Sequence, residues 1–212
     1  MGMRRVLMTV AAVVVSLGLV ACSGEAEPGV PTGEGGSGGT PTTGGEANPG
    51  LPHSGAPKVE TPLADTASWE ADPCSAVTDS QFQSVDLEIR VTEPDPEGAF
   101  GPTCDWVIDG GGSFSGAFIA GGGGLSAIYA NNEKGRFDVF EVIEDIEGQP
   151  AVMALGTDSR SDGVCAADVG IRDDMAYTVI MTADPGTPQG DDPCKWASTI
   201  AGLAVQTMKG GS

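Results

Sequence analysis

Five cysteines and a single histidine are the residues of this 212-residue chain best suited to nucleophilic or metal chemistry, and their placement limits what they can do. The cysteines are Cys22, Cys74, Cys104, Cys165 and Cys194. No two form a C-x-x-C pair and the last four have no histidine nearby in sequence, so a zinc site and a thioredoxin-like redox motif both fit poorly. His53 sits in a Gly- and Pro-rich stretch and reads as a solvated linker residue. Histidine-based triads and dyads are thereby excluded from the remainder of the chain. Carboxylates are plentiful: Glu141, Glu144, Asp145 and Glu147 cluster, as do Asp191 and Asp192. A pair of acids could carry hydrolysis if burial drove their pKa values apart, but acids on a polar face are ordinarily solvated, and no EF-hand spacing is present. The stretch "GGGGLSAIY" places glycines before a helix, as phosphate-cradling loops do. It lacks the Lys-Ser/Thr of a P-loop and the G-x-G-x-x-G spacing, and reads as a connector. "GGSFSG" has its serines at the wrong spacing for a nucleophile elbow. No catalytic residue, cofactor site or metal ligand set is assigned.

The odd cysteine leads to the amino end. Arg4 and Arg5 precede an apolar run over residues 6–20, which has the form of an export signal over 1–21 and is shorter than the roughly 20 residues a membrane-spanning helix needs. Leu19-Val20-Ala21-Cys22 resembles the lipobox of bacterial lipoproteins, in which the cysteine thiol is acylated and becomes the first residue. The resemblance implies that Cys22 is a lipid anchor, holding the protein on the outer face of the cell membrane. Two long acyl chains at about 0.8 kcal/mol per buried methylene would suffice. Residues 22–63 are rich in Gly, Pro, Thr and Ser and read as a disordered tether with a mean span of ~35 Å. Loss of the signal leaves eight basic residues against 30 acidic ones, a charge of about −22. Such a surface repels phosphate backbones, so nucleic acid is excluded as a partner.

Residues 64–212 read as one domain. Asp72 precedes Pro73 as a helix N-cap, and Val85, Leu87, Ile89 and Val91 alternate as in a strand. A hairpin is expected from strands around 104–108 and 113–120 turning through glycines 110–112, with a helix over "LSAIYANNE". Strands follow over "RFDVFEVI" and "QPAVMAL", then a second hairpin through Asp173-Asp174. A final helix begins at Asp192-Pro193, with Trp196, Ile200, Leu203, Ala204 and Met208 on one face. The fold class is α+β, a mostly antiparallel sheet flanked by N- and C-terminal helices. Four cysteines in an exported domain allow three disulfide pairings. Cys74–Cys104 and Cys165–Cys194 are favoured, because each ties a helix start to a neighbouring strand. Trp106 and Trp196, next to cysteines, read as core packed near the bridges.

Taken in order, "GLPHSGAPKV", Asp72-Pro73-Cys74, Cys104-Asp105-Trp106, "GLSAIY", "GQPAV", "GVCAADVGI" and Asp192-Pro193-Cys194 resemble the actinobacterial lipoproteins carrying the domain of unknown function 3558. The resemblance implies an exported, lipid-anchored, disulfide-containing domain and brings no activity with it. Similar lipoproteins have a PsbP/Mog1-like sandwich, an analogy of architecture alone. The expectation is a monomeric, non-enzymatic binding or accessory domain at the cell envelope, with no cofactor, holding a partner protein or a lipid or small apolar ligand. The alternatives are a carboxylate-dependent hydrolase of envelope glycans and a purely structural envelope protein.

Overall fold

The chain alternates apolar and small or polar residues over short runs, and glycine or aspartate pairs mark the reversals between them. A computed structural model describes residues 50–210, all within one compact unit. The signal segment, Cys22 and the tether as far as residue 49 lie outside the described residues. The strands are β1 (Ile89–Asp95), β2 (Thr103–Ile108), β3 (Ser113–Ile119), β4 (Val139–Ile146), β5 (Gln149–Leu155), β6 (Val164–Arg172) and β7 (Met175–Thr182). The helices are α1 (Ala67–Ala71), α2 (Asp79–Ser84), α3 (Leu125–Glu133), α4 (Pro188–Asp191) and α5 (Pro193–Met208). The strands form one seven-stranded antiparallel sheet in the order β1-β2-β3-β7-β6-β5-β4, and the class is α+β. Between β4 and β5, Glu147 and Gly148 both take positive φ (52° and 71°), the conformation that a two-residue hairpin turn needs.

Side chains alternate across the sheet, so register decides which residues share a face. Trp106 pairs with Phe114, Phe114 with Met181, and Met181 with Cys165; Phe118 pairs with Tyr177 and Tyr177 with Val169. These residues form one apolar face, and α5 lies on it with Ala197, Ile200, Ala201, Ala204 and Val205 buried. Burying a side chain the size of Ile200 stabilises by about 1.5–3 kcal/mol. Trp106 stacks on Phe114 with ring centroids 5.0 Å apart, and Phe82 from α2 stands edge-on to both. The helix carrying Phe82 is framed by its own sequence. Thr78 and Gln81 form a capping box at its start, while Asp86 at φ 55° ends it, with Leu87 N–H bonded back to the Phe82 carbonyl at 2.9 Å. Cys74–Cys104 and Cys165–Cys194 are bonded, each with Cα atoms 5.0 Å apart, and tie the 3-10 turn Pro73–Ala76 to β2 and the start of α5 to β6. Closing loops of this size is worth about 3–4 kcal/mol in the chain-entropy model.

Several local expectations shift. The strand expected from Val85 begins at Ile89, because the helix end and its left-handed turn consume residues 85–87. Asp72 makes no side-chain cap, whereas Asp192 accepts from Lys195 N–H at 3.2 Å. Trp196 packs against the core at the edge of α5's buried face, half-buried, with its indole N–H donating to Pro188 O at 3.1 Å, and Ala197 beside it is fully buried. Residues 50–63, expected within the disordered tether, lie on the domain. Val59 and Leu63 are buried; Val59 N–H donates to Asp173 Oδ1 at 2.8 Å and Leu63 N–H to Ile171 O at 3.0 Å. Gln149 Nε2 donates to Thr61 O at 2.9 Å. Two apolar anchors suffice there because the β6–β7 hairpin supplies acceptors for the arm's N–H groups. His53 stays exposed, although its backbone N–H donates to Ser126 Oγ at 2.9 Å.

Gly116 lies opposite Cys104 and Val179, and a Cβ there would run into the Tyr177 hydroxyl and the Trp106 ring. That hydroxyl is buried and without a hydrogen-bond partner among the described residues. Gly116→Ala is therefore expected to destabilise the domain by about 1–3 kcal/mol in urea unfolding, and by clearly less in a Tyr177→Phe background. Equal losses in both backgrounds would refute the contact.

Candidate ligand-binding groove

The opposite face of the sheet is only partly covered. Over Val152 and Ala176 it carries α3, whose Leu125 and Ile128 are buried there, with Tyr129 edge-on to Phe140 at 5.0 Å. The glycine run ahead of α3 has a packing reason. A Cβ on Gly124 would come within 2.8 Å of Asp173 O and Met175 N, so the loop admits the β6–β7 turn rather than a phosphate.

Beyond α3, the face of β2, β3 and β7 is bordered by the loop at residues 96–102, which joins β1 to β2. Gly98 permits this loop's path, since a Cβ there would strike the Thr103 hydroxyl and come within 2.8 Å of Gly101 O. Between loop and sheet is a hollow of about 240 Å³. Its apolar surface comes from Phe100, Ala117 and Ile180, and its polar groups are Asp95, Thr103, Asp105, Ser115 and Thr178. Phe100 is 54% exposed, one of the two large apolar side chains so exposed among the described residues. The register places Asp105 opposite Ser115 and Thr103 opposite Ala117, and Ala117 in turn faces Thr178 across β7.

The polar groups are largely committed, to one another or to the loop backbone. Ser115 donates its hydroxyl to Asp105 Oδ1, Thr103 donates to Gly101 O at 3.2 Å, and Asp95 Oδ1 accepts from Glu97 N–H at 3.0 Å. One strand further, Asp168 pairs with Thr178 on one side and Val152 on the other, on this same face. It is 5% exposed, the one buried carboxylate among the described residues. Burial pushes its pKa up to about 6, partly offset by the Thr178 hydroxyl, and no basic residue contributes.

The carboxylates singled out by clustering in sequence are elsewhere. Glu141 is exposed and bridged to Arg160 at 2.9 Å, which also pairs with Asp158 at 2.8 Å. Glu144, Asp145 and Glu147 are exposed around the β4–β5 turn. Asp191 accepts from Gly186 N–H at 2.9 Å and Asp192 caps α5. The groove residues lack any motif in the sequence. The one legible signal was Asp168 itself, an acid set inside the apolar run "GVCAADVGI". A second hollow of about 420 Å³, beside Asp86, Glu88 and Asp109, has mostly polar walls and offers little apolar surface to a ligand.

Asp168 has a measurable consequence. In the unfolded chain its carboxyl ionises near 4, and in the fold near 6. Below about pH 4 it is neutral in both states and adds no pH-dependent cost. Between about 4 and 6 the folded state holds the extra proton, so stability falls as pH rises, and above 6 the full loss, of the order of 2–3 kcal/mol, is present. Asp168→Asn is expected to flatten this part of the stability–pH profile and to raise the urea midpoint at pH 7. An unchanged profile would contradict the assignment.

Among the described residues no helix is long and apolar enough to cross a membrane, and no group of three or more His, Cys, Asp or Glu could hold a metal ion. No curated protein and no solved structure matches the chain. The family model described as "Protein of unknown function (DUF3558)" matches residues 17–207, which takes in every strand and all but the last residue of α5. Since that match spans most of the 212 residues, the chain belongs to the DUF3558 family.

Proposed function

We propose that this protein is an extracytoplasmic lipoprotein of actinobacterial type, anchored through Cys22 to the outer face of the cell membrane, and that its folded part is a non-enzymatic binding domain. The groove under loop 96–102 is the binding site, and it holds a small, partly apolar ligand. The observation that carries this reading is the groove itself: a concave site on the uncovered half of the sheet, with apolar walls from Phe100, Ala117 and Ile180 and a few fixed polar groups. The anchor rests on the lipobox-like Leu19-Val20-Ala21-Cys22, and the two disulfides account for the other four cysteines. A long tether suits capture, because it lets the domain sample its surroundings while remaining on the membrane.

A second reading draws on Asp95 and Asp105 lining one hollow, as the two acids of a glycan hydrolase would. Binding is favoured over hydrolysis because Asp105 is held by Ser115, and Asp168, the acid with the raised pKa, is closed off from solvent. Hydrolysis of envelope glycans by the domain, lost in Asp105→Asn, would move the assignment to an enzyme.

Two measurements test the proposal. The tethered domain is expected to retain a small molecule from envelope extracts in native mass spectrometry, and Ile180→Trp, which fills the groove, to lose it; retention by that variant, or capture of a protein alone, would place binding elsewhere. Cys22→Ala is expected to abolish palmitate labelling and release the protein from the membrane. Unchanged labelling would refute the anchor.

A further inference from the structure

We propose that the groove selects ligands bearing a compact organic ammonium group beside their apolar part. The inference rests on the groove being a binding site and specifies what it binds. Two carboxylates, Asp95 and Asp105, face the hollow, and no Lys, Arg or His lines it. Two of the three hydroxyls along it point their protons away from a guest: Ser115 donates to Asp105 and Thr103 to Gly101 O. The side chains therefore present acceptors and negative charge. An anion would meet two carboxylates and no cationic side chain, whereas a cation meets carboxylate and hydroxyl lone pairs together.

Two further observations agree. Asp168 lies on the same face directly across from Thr178, is 5% exposed, and has no basic residue against it. Beneath this side of the groove, then, the fold keeps a carboxyl without a counter-charge. Phe100, among the residues lining the hollow, holds an aromatic ring 54% exposed. An exposed ring lining an acid-bearing hollow supplies the groups that recognise quaternary ammonium ions, an aromatic π face and carboxylates. A volume of about 240 Å³ is small for a drug-sized ligand and fits a guest of trimethylammonium-alcohol size. The net charge of −20 adds a field that draws cations toward the domain, so binding should weaken with salt.

The test uses three molecules of one shape and different charge: choline, its uncharged carbon isostere 3,3-dimethylbutan-1-ol, and the anion 3,3-dimethylbutanoate. Binding to the domain with its tether is measured by ligand-observed NMR and calorimetry at pH 7.5. Choline is expected to bind roughly tenfold or more tightly than the alcohol, and the anion not to bind. Phe100→Ala, an exposed loop change that leaves the core intact, should weaken choline by roughly two- to fivefold, and Asp105→Asn by more. Raising NaCl to molar levels should reduce the preference for choline. If the alcohol binds as tightly as choline, and Ile180→Trp blocks both, the groove is a binding site and the ammonium inference is overturned. If the anion binds best, the inference is likewise overturned. If none of the three binds, at any concentration up to solubility, both the inference and the groove reading fall.

Discussion

The fold depends on two strands that need cover on both faces. β6 and β7 are the central hairpin, buried almost throughout, and a strand so placed cannot leave either side to water without exposing apolar surface. α5 covers one side, contributing a helix face of Ala, Ile and Val that permits close approach to the sheet. On the other side the cover is assembled from pieces: α3 and the arm at residues 50–63. The hairpin turn itself holds the arm, through Asp173 and the Ile171 carbonyl, while Arg172 reaches the Thr66 hydroxyl at 2.8 Å and Asp174 at 3.1 Å.

The groove follows from where that cover runs out. α3 is nine residues long and covers only the part of the sheet near Ala176 and Val152. The strip beside it, across β2, β3 and β7, is bordered by the β1–β2 loop, which approaches closely enough to make a hollow. Asp168 is at the junction of the two regimes. An acid there lowers the stability of the fold at neutral pH, and an apolar residue would have packed at no such cost. This is the kind of local inconsistency that natural proteins tolerate near functional surfaces.

Legibility in the sequence varied with how local the physics was. Both hairpins, α3, α5 and the mostly antiparallel character follow from alternation and turn residues within short windows. The late start of β1 was hidden because Val85 and Leu87 keep the two-residue rhythm while serving a helix end; only the left-handed Asp86 reveals the change. Trp196 packs against the core as its place on the helix face implies, but periodicity could not show that it stays half-buried with its indole N–H on Pro188 O. The arm before residue 64 looked like tether throughout, since composition counts apolar residues and does not see that two anchors meet prepared acceptors.

By itself the sequence determined the class, the hairpins, the acidic composition, and the lipobox-like cysteine that motivates the anchor. Each of these is a matter of residue type or of spacing within about a dozen positions. Only the tertiary structure decided where a ligand could sit. Asp95 and Asp105 belong to a strand and its loop-linked neighbour, Ser115 and Ala117 to the next strand, and Thr178 to a strand some sixty residues later. Strand order β3-β7-β6 brings them onto one face. That juxtaposition is a product of long-range pairing, in which every partner is set by register and by the burial of the opposite face, and no local pattern encodes it.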